Sequence, residues 1–183
     1  MTSKQTNKGG GAKGLRLILL RHAKSAWPVG AVDEERPLNG RGRTASPLIG
    51  AYLARKRLIP DLALVSTARR AQETWSLVGD KLPRQPETLL LPELYAASAE
   101  TILAALRKVP ADRRTVLILG HNPGLQDLAL ALSGAGSDEA RNRLAAKYPT
   151  GGLAVIDFAV ADWHDVGGNN GRLDRFVGPR TLG

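Results

Sequence analysis

The chain has 183 residues, of which 43% are hydrophobic and 23% are charged, and its formal net charge is +9. This length and composition are typical of one soluble globular domain with a sizeable core. Because the sequence contains no cysteine, disulfide scaffolds, cysteine-ligated zinc sites and thiol nucleophiles are excluded.

The first thirteen residues are rich in Gly, Lys, Ser, Thr and Asn and show no apolar periodicity. We predict that residues 1–13 form a flexible basic tail and that residues 14–183 form a single domain. The GGGAKG segment of the tail is not expected to be a phosphate loop, because it precedes the first strand and no Ser or Thr follows its lysine. The longest apolar run near the N-terminus, residues 17–20, is too short for a signal peptide, so a cytoplasmic location without a membrane partner is expected.

Buried strands and amphipathic helices alternate in the first half of the chain. Leu15 to Leu20 is predicted to be the first strand, and an apolar helical face follows over residues 48–53. Pro47 is expected in or near the first turn of that helix. Asp61 to Val65 is the second predicted strand, and the apolar spacing over residues 71–78 predicts the next helix.

The alternation continues in the second half. A short extended segment is predicted at Leu89 to Leu91, a helix around residues 102–106, a strand at Thr115 to Leu119, a helix over 125–132, a polar surface helix over 138–147, and a last clear strand at Leu153 to Phe158. Predicted caps are Ser66 or Thr67 for the second helix, Ser98 for the third, and Asn122 with Pro123 for the fourth. The sequence therefore predicts an α/β fold with three layers, α/β/α, and a mostly parallel central sheet.

Polar residues suited to binding an anion follow three of the predicted strands. Arg21-His22 follows the first strand, the segment from Ser66 to Arg70 follows the second, and His121-Asn122 follows Thr115 to Leu119. Ligands of open α/β sheets gather beyond the carboxyl ends of the strands, where helix N-termini also favour negative charge. We therefore expect these groups to converge on a pocket for a phosphoryl group.

Six segments carry a family resemblance: LRLILLRHAKSAW, RPLNGRG, VSTARRAQETW, LPELYAAS, LILGHNPGL and YPTGGLAVIDF. In this order they resemble the histidine phosphatase superfamily, in the variant found in small phosphohistidine phosphatases of the SixA type. The resemblance covers nearly all of the chain from residue 15 to about residue 180. It implies a phosphoglycerate mutase-like fold.

The resemblance also implies roles for single residues. His22 would be the nucleophile, Arg21 and Arg70 would hold phosphoryl oxygens, and His121 would be the second histidine of the pocket. Glu93 lies where a proton donor would be placed, and a structural carboxylate is the alternative. Ser25 would either donate to the phosphate or cap a turn.

The first segment departs from the common family pattern. Ala23 and Lys24 stand where glycine and glutamate are common, and Pro28 replaces the asparagine of the phosphoglycerate mutases. The loss of this asparagine weakens the case for a sugar-phosphate mutase, and Lys24 adds positive charge near the expected pocket.

The implied activity is hydrolysis of phosphohistidine on a phosphorylated protein, through a covalent intermediate on His22, without a metal or another cofactor. One alternative is a phosphatase of small phosphorylated substrates, such as sugar or nucleotide phosphates. Another is a non-catalytic basic module that binds an acidic partner or nucleic acid, although few aromatic residues are present for base stacking and a nucleic-acid partner is not expected. The sequence carries no signal for an oligomeric state.

Overall fold

The central sheet is built around the first strand of the chain. The computed structural model describes residues 14–182, so the predicted tail at residues 1–13 lies outside the described residues. Their strands are β1 (Leu15–Arg21), β2 (Leu62–Ser66), β3 (Glu87–Leu91), β4 (Thr115–Gly120), β5 (Ser133–Gly136), β6 (Leu153–Phe158) and β7 (Gly171–Val177). Within the described residues they form one seven-stranded sheet in the order β3-β2-β4-β1-β6-β7-β5.

The sheet is mostly parallel, as predicted. Strands β3, β2, β4 and β1 pair in parallel, and so do β5 and β7. Strand β6 runs antiparallel to both of its neighbours, β1 and β7. Because β1, β4 and β2 are parallel neighbours, their carboxyl ends lie at the same edge of the sheet.

Two strands were not predicted, and Leu153–Phe158 is not the last strand. Strand β5 has the sequence Ser-Gly-Ala-Gly, which carries no apolar alternation. In β7 the buried residues Leu173 and Phe176 are three positions apart, so the pattern does not have the period of two that indicates a strand. A register shift in β7, opposite Val155 and Ile156 of β6, places the side chains of Leu173 and Phe176 in the same core cluster.

Helices cover both faces of the sheet. They are α1 (Gly40–Arg55), α2 (Arg69–Gly79), α3 (Ala99–Arg107), α4 (Gly124–Leu132) and α5 (Asp138–Ala146). Alternate β1 residues point to opposite faces: Leu17 and Leu19 pack in the cluster with α3, α4 and α5, and Ile18 and Leu20 pack in the cluster with α1 and α2. This arrangement is the predicted three-layer α/β/α architecture. No helix within residues 14–182 has the length and apolar character needed to cross a bilayer.

The N-termini of α1, α2 and α4 differ from the predictions. The side chain of Asn39 caps α1 by accepting a hydrogen bond from the Gly42 N–H at 3.0 Å, so α1 begins early and Pro47 lies in its interior. Helix α2 begins after Ala68 without a side-chain cap, and α4 has Pro123 itself at the N-cap position. The Ser98 cap of α3 is confirmed, since its hydroxyl accepts from the Thr101 N–H.

Candidate active site

The ends of three parallel strands deliver the predicted site residues to one place. Strand β1 ends at Arg21, which lies opposite the last residue of β4, Gly120, so His22 and His121 emerge side by side. Strand β2 ends at Ser66, and the first turn of α2 then supplies Arg70. A cavity of about 230 Å³ is lined by Arg21, His22, Lys24, Ser25, Trp27, Arg36, Arg70, His121, Asn122 and Thr150. We call it the catalytic cavity.

The hydrogen bonds of His22 define its tautomer. Its Nδ1 lies 2.8 Å from the carbonyl oxygen of Ala23, which can only accept, so Nδ1 carries the proton. Its Nε2 accepts a long hydrogen bond of 3.4 Å from Arg70 Nε. Burial is the largest cause that lowers the pKa of His22 to about 3, and the neighbouring His121, Arg70 and Arg21 contribute to the same shift. The ring is therefore neutral at physiological pH, with an unprotonated Nε2.

A buried hydroxyl holds His121 through its Nε2, whereas His22 is held through its Nδ1. Its Nε2 lies 2.7 Å from Ser66 Oγ, and that oxygen also accepts from the Ala68 N–H at 3.3 Å. Because the Ala68 N–H is a donor, His121 Nε2 is the one acceptor for the Ser66 hydroxyl proton among the described residues, and this assigns the ring proton of His121 to Nδ1. This Nδ1 is buried and has no hydrogen-bond partner among the described residues.

His121 is also neutral. Burial lowers its pKa to about 4, with Arg70 as the next cause. Its ring centroid lies 5.1 Å from that of His22. One imidazole therefore offers a lone pair, and its neighbour offers an unused N–H donor.

Three arginines and Lys24 bring positive charge to the cavity, and other groups of the protein hold Arg21 and Arg70 in place. Arg21 donates from Nη1 to the backbone oxygen of Tyr148 at 2.7 Å, and its Nε is buried with no partner among residues 14–182. Arg70 donates from Nη1 to the backbone oxygen of Asp33 at 2.7 Å and from Nη2 to its carboxylate at 3.1 Å. Planar guanidinium groups held in this way suit the oxygens of a phosphoryl group.

Asp33 is a functional candidate that the sequence did not reveal. Its carboxylate accepts from the Tyr95 hydroxyl, from Arg70 and from Arg36, whose Nε lies 3.0 Å away. The Tyr95 hydrogen bond is the largest cause that lowers the pKa of Asp33 to about 2, and the two arginines add to it. Arg36 in turn stacks on the Trp27 ring at 3.5 Å. The carboxylate thus ties the loop before α1 to the cavity arginines.

The remaining predicted residues differ in their placement. Ser25 is buried in the catalytic cavity, where its Oγ accepts from Arg36 Nη1 at 3.1 Å. Glu93 is exposed on the 3-10 helix Pro92–Leu94 and is not among the residues that line the cavity. Within residues 14–182, no three His, Cys, Asp or Glu side chains gather as metal ligands would.

Comparison with known proteins reveals relatives along most of the chain. Residues 17–95 match the sequence profile of the histidine phosphatase superfamily, branch 1. An uncharacterised protein of Mycobacterium tuberculosis strain H37Rv is 36% identical over 163 residues, which cover 88% of this chain and 100% of the relative.

Solved structures share the fold. A candidate phosphohistidine phosphatase SixA from Nakamurella multipartitia aligns with a TM-score of 0.81 and 29% identity, over 92% of this chain and 98% of its own. A candidate phosphohistidine phosphatase SixA from Agrobacterium tumefaciens aligns with a TM-score of 0.74 and 33% identity, over 90% of this chain and 98% of its own. The chain therefore belongs to the histidine phosphatase superfamily.

Proposed function

We propose that this protein is a metal-independent phosphatase that hydrolyses phosphohistidine on proteins through a covalent phosphohistidine on His22. The observation that carries the proposal is the unprotonated Nε2 of His22, which lies in the catalytic cavity beside Arg70, with His121 as its neighbour. A neutral imidazole nitrogen is a nucleophile only when it carries no proton, and the Ala23 hydrogen bond holds the ring proton on Nδ1.

Binding of the phosphoryl group follows from the donors around that nitrogen. Arg21 and Arg70 line the same cavity, and the unused Nδ1–H of His121 adds a third donor. These fixed donors would stabilise the charge that spreads over the equatorial oxygens during transfer. In this proposal the arginines take the part that a metal ion plays in other phosphatases.

The transfer takes two displacements. In the first, the lone pair of His22 Nε2 attacks phosphorus, the N–P bond of the substrate breaks, and its electron pair goes to the substrate imidazole. That imidazole leaves as a neutral ring when its second nitrogen carries a proton. In the second, water attacks phosphorus, the bond to His22 Nε2 breaks, and both protons of the water leave with the phosphate.

The carboxyl groups near the site favour a nitrogen leaving group. An alkoxide leaving from an oxygen ester needs a proton donor, but Asp33 is ionised and bonded to two arginines. Glu93 is exposed outside the cavity lining, and we give it no part in the transfer. An imidazole that carries its own proton does not need such a donor. The similarity to the two SixA proteins supports the same substrate class.

A phosphohistidine peptide tests the proposal directly. Phosphate release should be lost in His22→Ala, by about three orders of magnitude or more, and unchanged in His164→Ala, because His164 is an exposed histidine on the 3-10 helix Trp163–Asp165. Rapid quenching of the wild-type protein should trap an acid-labile, base-stable adduct that maps to His22. A label on a serine or carboxylate, or faster turnover of sugar or nucleotide phosphates than of the peptide, would refute the proposal.

A further inference from the structure

A second cavity adjoins the catalytic cavity and is not used by the proposed transfer. Its volume is about 510 Å³, more than twice the 230 Å³ of the catalytic cavity. Both cavities are lined by Arg21, Lys24 and Thr150, so they share a wall. A group bound in the second cavity would therefore lie beside the phosphoryl group, within reach of the same substrate molecule.

Four separate segments bring basic side chains to this cavity. Arg21 and Lys24 come from the end of β1 and the residues after it, Arg41 from the first turn of α1, Lys147 from the end of α5, and Arg180 from the 3-10 helix Pro179–Thr181. These five side chains define what we call the basic groove.

The fold holds the groove walls together by close backbone packing. The segment after His22 lies directly on the start of α1, where the Asn39 N–H donates to the Lys24 carbonyl oxygen at 3.0 Å. A Cβ atom on Gly42 would lie 2.1 Å from that same oxygen, so only glycine permits this approach. Lys24 and Arg41 are thus kept on one side of the groove by the contact between their segments.

Among residues 14–182, no acidic side chain balances the positive charge of the groove. The residues that line it include no Asp or Glu. Among the described residues, no carboxylate lies within 4.0 Å of the side-chain nitrogens of Lys24, Arg41, Lys147 or Arg180. Several arginines elsewhere are paired with a carboxylate, as Arg16 is with Asp157 at 2.6 Å. Positively charged side chains gathered in a cleft repel one another and attract an anionic ligand.

We propose that the basic groove binds acidic side chains of the protein substrate, next to the phosphohistidine held in the catalytic cavity. This inference rests on the proposed function, and it adds a sequence preference to it. The groove suits carboxylates because its cations stand on four segments around a wide opening, whereas a single phosphate would require donors that converge on one point. The groove also continues onto the half-exposed Leu48, which shares a shallow surface pocket with Arg41 and Arg180 and could contact the apolar parts of a peptide.

The test compares two phosphohistidine peptides that differ only in their flanking residues. One carries Glu and Asp beside the phosphohistidine, and the other carries Gln and Asn at the same positions. The substituted protein is Arg41→Glu/Arg180→Glu, because these two residues line the groove but not the catalytic cavity. The control is Arg172→Glu, an exposed arginine at the start of β7, near the sheet edge opposite the site.

We expect the wild-type protein to prefer the acidic peptide by about tenfold or more in kcat/KM, mainly through KM. The preference should shrink at high salt, because exposed charges are screened. It should disappear in Arg41→Glu/Arg180→Glu and persist in Arg172→Glu. In Arg41→Glu/Arg180→Glu, turnover of the neutral peptide should fall far less than that of the acidic peptide, and in Arg172→Glu it should be unchanged. Retained turnover of the neutral peptide also shows that the variants are folded.

Three results would overturn the inference. Equal kcat/KM for both peptides in the wild-type protein would show that flanking acids are not bound, while the proposed function would stand. A preference that survives in Arg41→Glu/Arg180→Glu would place acid recognition elsewhere. If neither peptide is hydrolysed by the folded wild-type protein, the proposed function itself is wrong and this inference fails with it.

Discussion

Acidification should destabilise the fold through its two buried histidines. The pKa values of His22 and His121 in the folded protein are about 3 and about 4, against about 6.5 in an unfolded chain. Between these values the unfolded chain binds two protons that the folded protein does not bind. The free energy of unfolding therefore falls as the pH drops below about 6.5, and the loss is complete only below the folded pKa values.

The size of the effect follows from the two pKa differences. Each unmatched proton costs about 1.4 kcal/mol per pH unit. For the two histidines together the loss between pH 7 and pH 4.5 is about 5 kcal/mol, which is comparable to the whole stability of a marginal domain, about 5–15 kcal/mol. The pKa of Asp33 is lowered to about 2, so its carboxylate adds to the loss only below this pH range.

Urea unfolding followed by circular dichroism at pH 7, 5.5 and 4.5 measures this loss. His22→Asn/His121→Asn, which cannot take up these two protons, should lose only a small part of the 5 kcal/mol, whereas the exposed His164→Asn should behave like the wild-type protein. The reasoning is wrong if the wild-type protein and the double variant lose the same free energy over this range.

Three further substitutions test the site and the core. Ser66→Ala removes the donor to His121 Nε2, so steady-state kinetics should show kcat lowered about tenfold. Ser66→Thr, which keeps the hydroxyl, should recover kcat. An unchanged kcat in Ser66→Ala would show that Ser66 has no part in the mechanism. Asp33→Asn loosens Arg70 and Arg36 and should lower kcat/KM for the neutral peptide several-fold, whereas a merely structural contact would change only urea stability. Ile118→Ala empties a fully buried position and should cost about 2–5 kcal/mol in urea unfolding.

Apolar periodicity was enough to predict the layers of the fold. The continuous apolar run of residues 17–20 indicates a strand buried on both faces, and in the fold these residues alternate between two core clusters. The placement of Arg21, His22 and His121 also followed from the sequence, since neighbouring parallel strands end at one edge. These features depend on residues that are close along the chain or on the general geometry of sheets.

Features that depend on long-range contacts could not be predicted. Asp33 binds Arg70 and Tyr95, which are 37 and 62 residues away, and the acidic segment around it carries no local signal for either contact. Ser66 was predicted as a helix cap because a hydroxyl stood between a strand and a helix. In the folded protein the same hydroxyl lies 2.7 Å from His121, which is 55 residues further along the chain.

The pairing of β1 with β4 also decides whether the two histidines can cooperate. Arg21 lies opposite Gly120, and the four pairs directly below it, such as Leu19 with Ile118, are apolar and fully buried. A slip of one residue between these strands would turn one imidazole to the opposite side of the sheet. The proposed phosphoryl transfer thus depends on the register of a buried strand pair, so a substitution that loosens this pair is expected to abolish activity while most of the molecule stays folded.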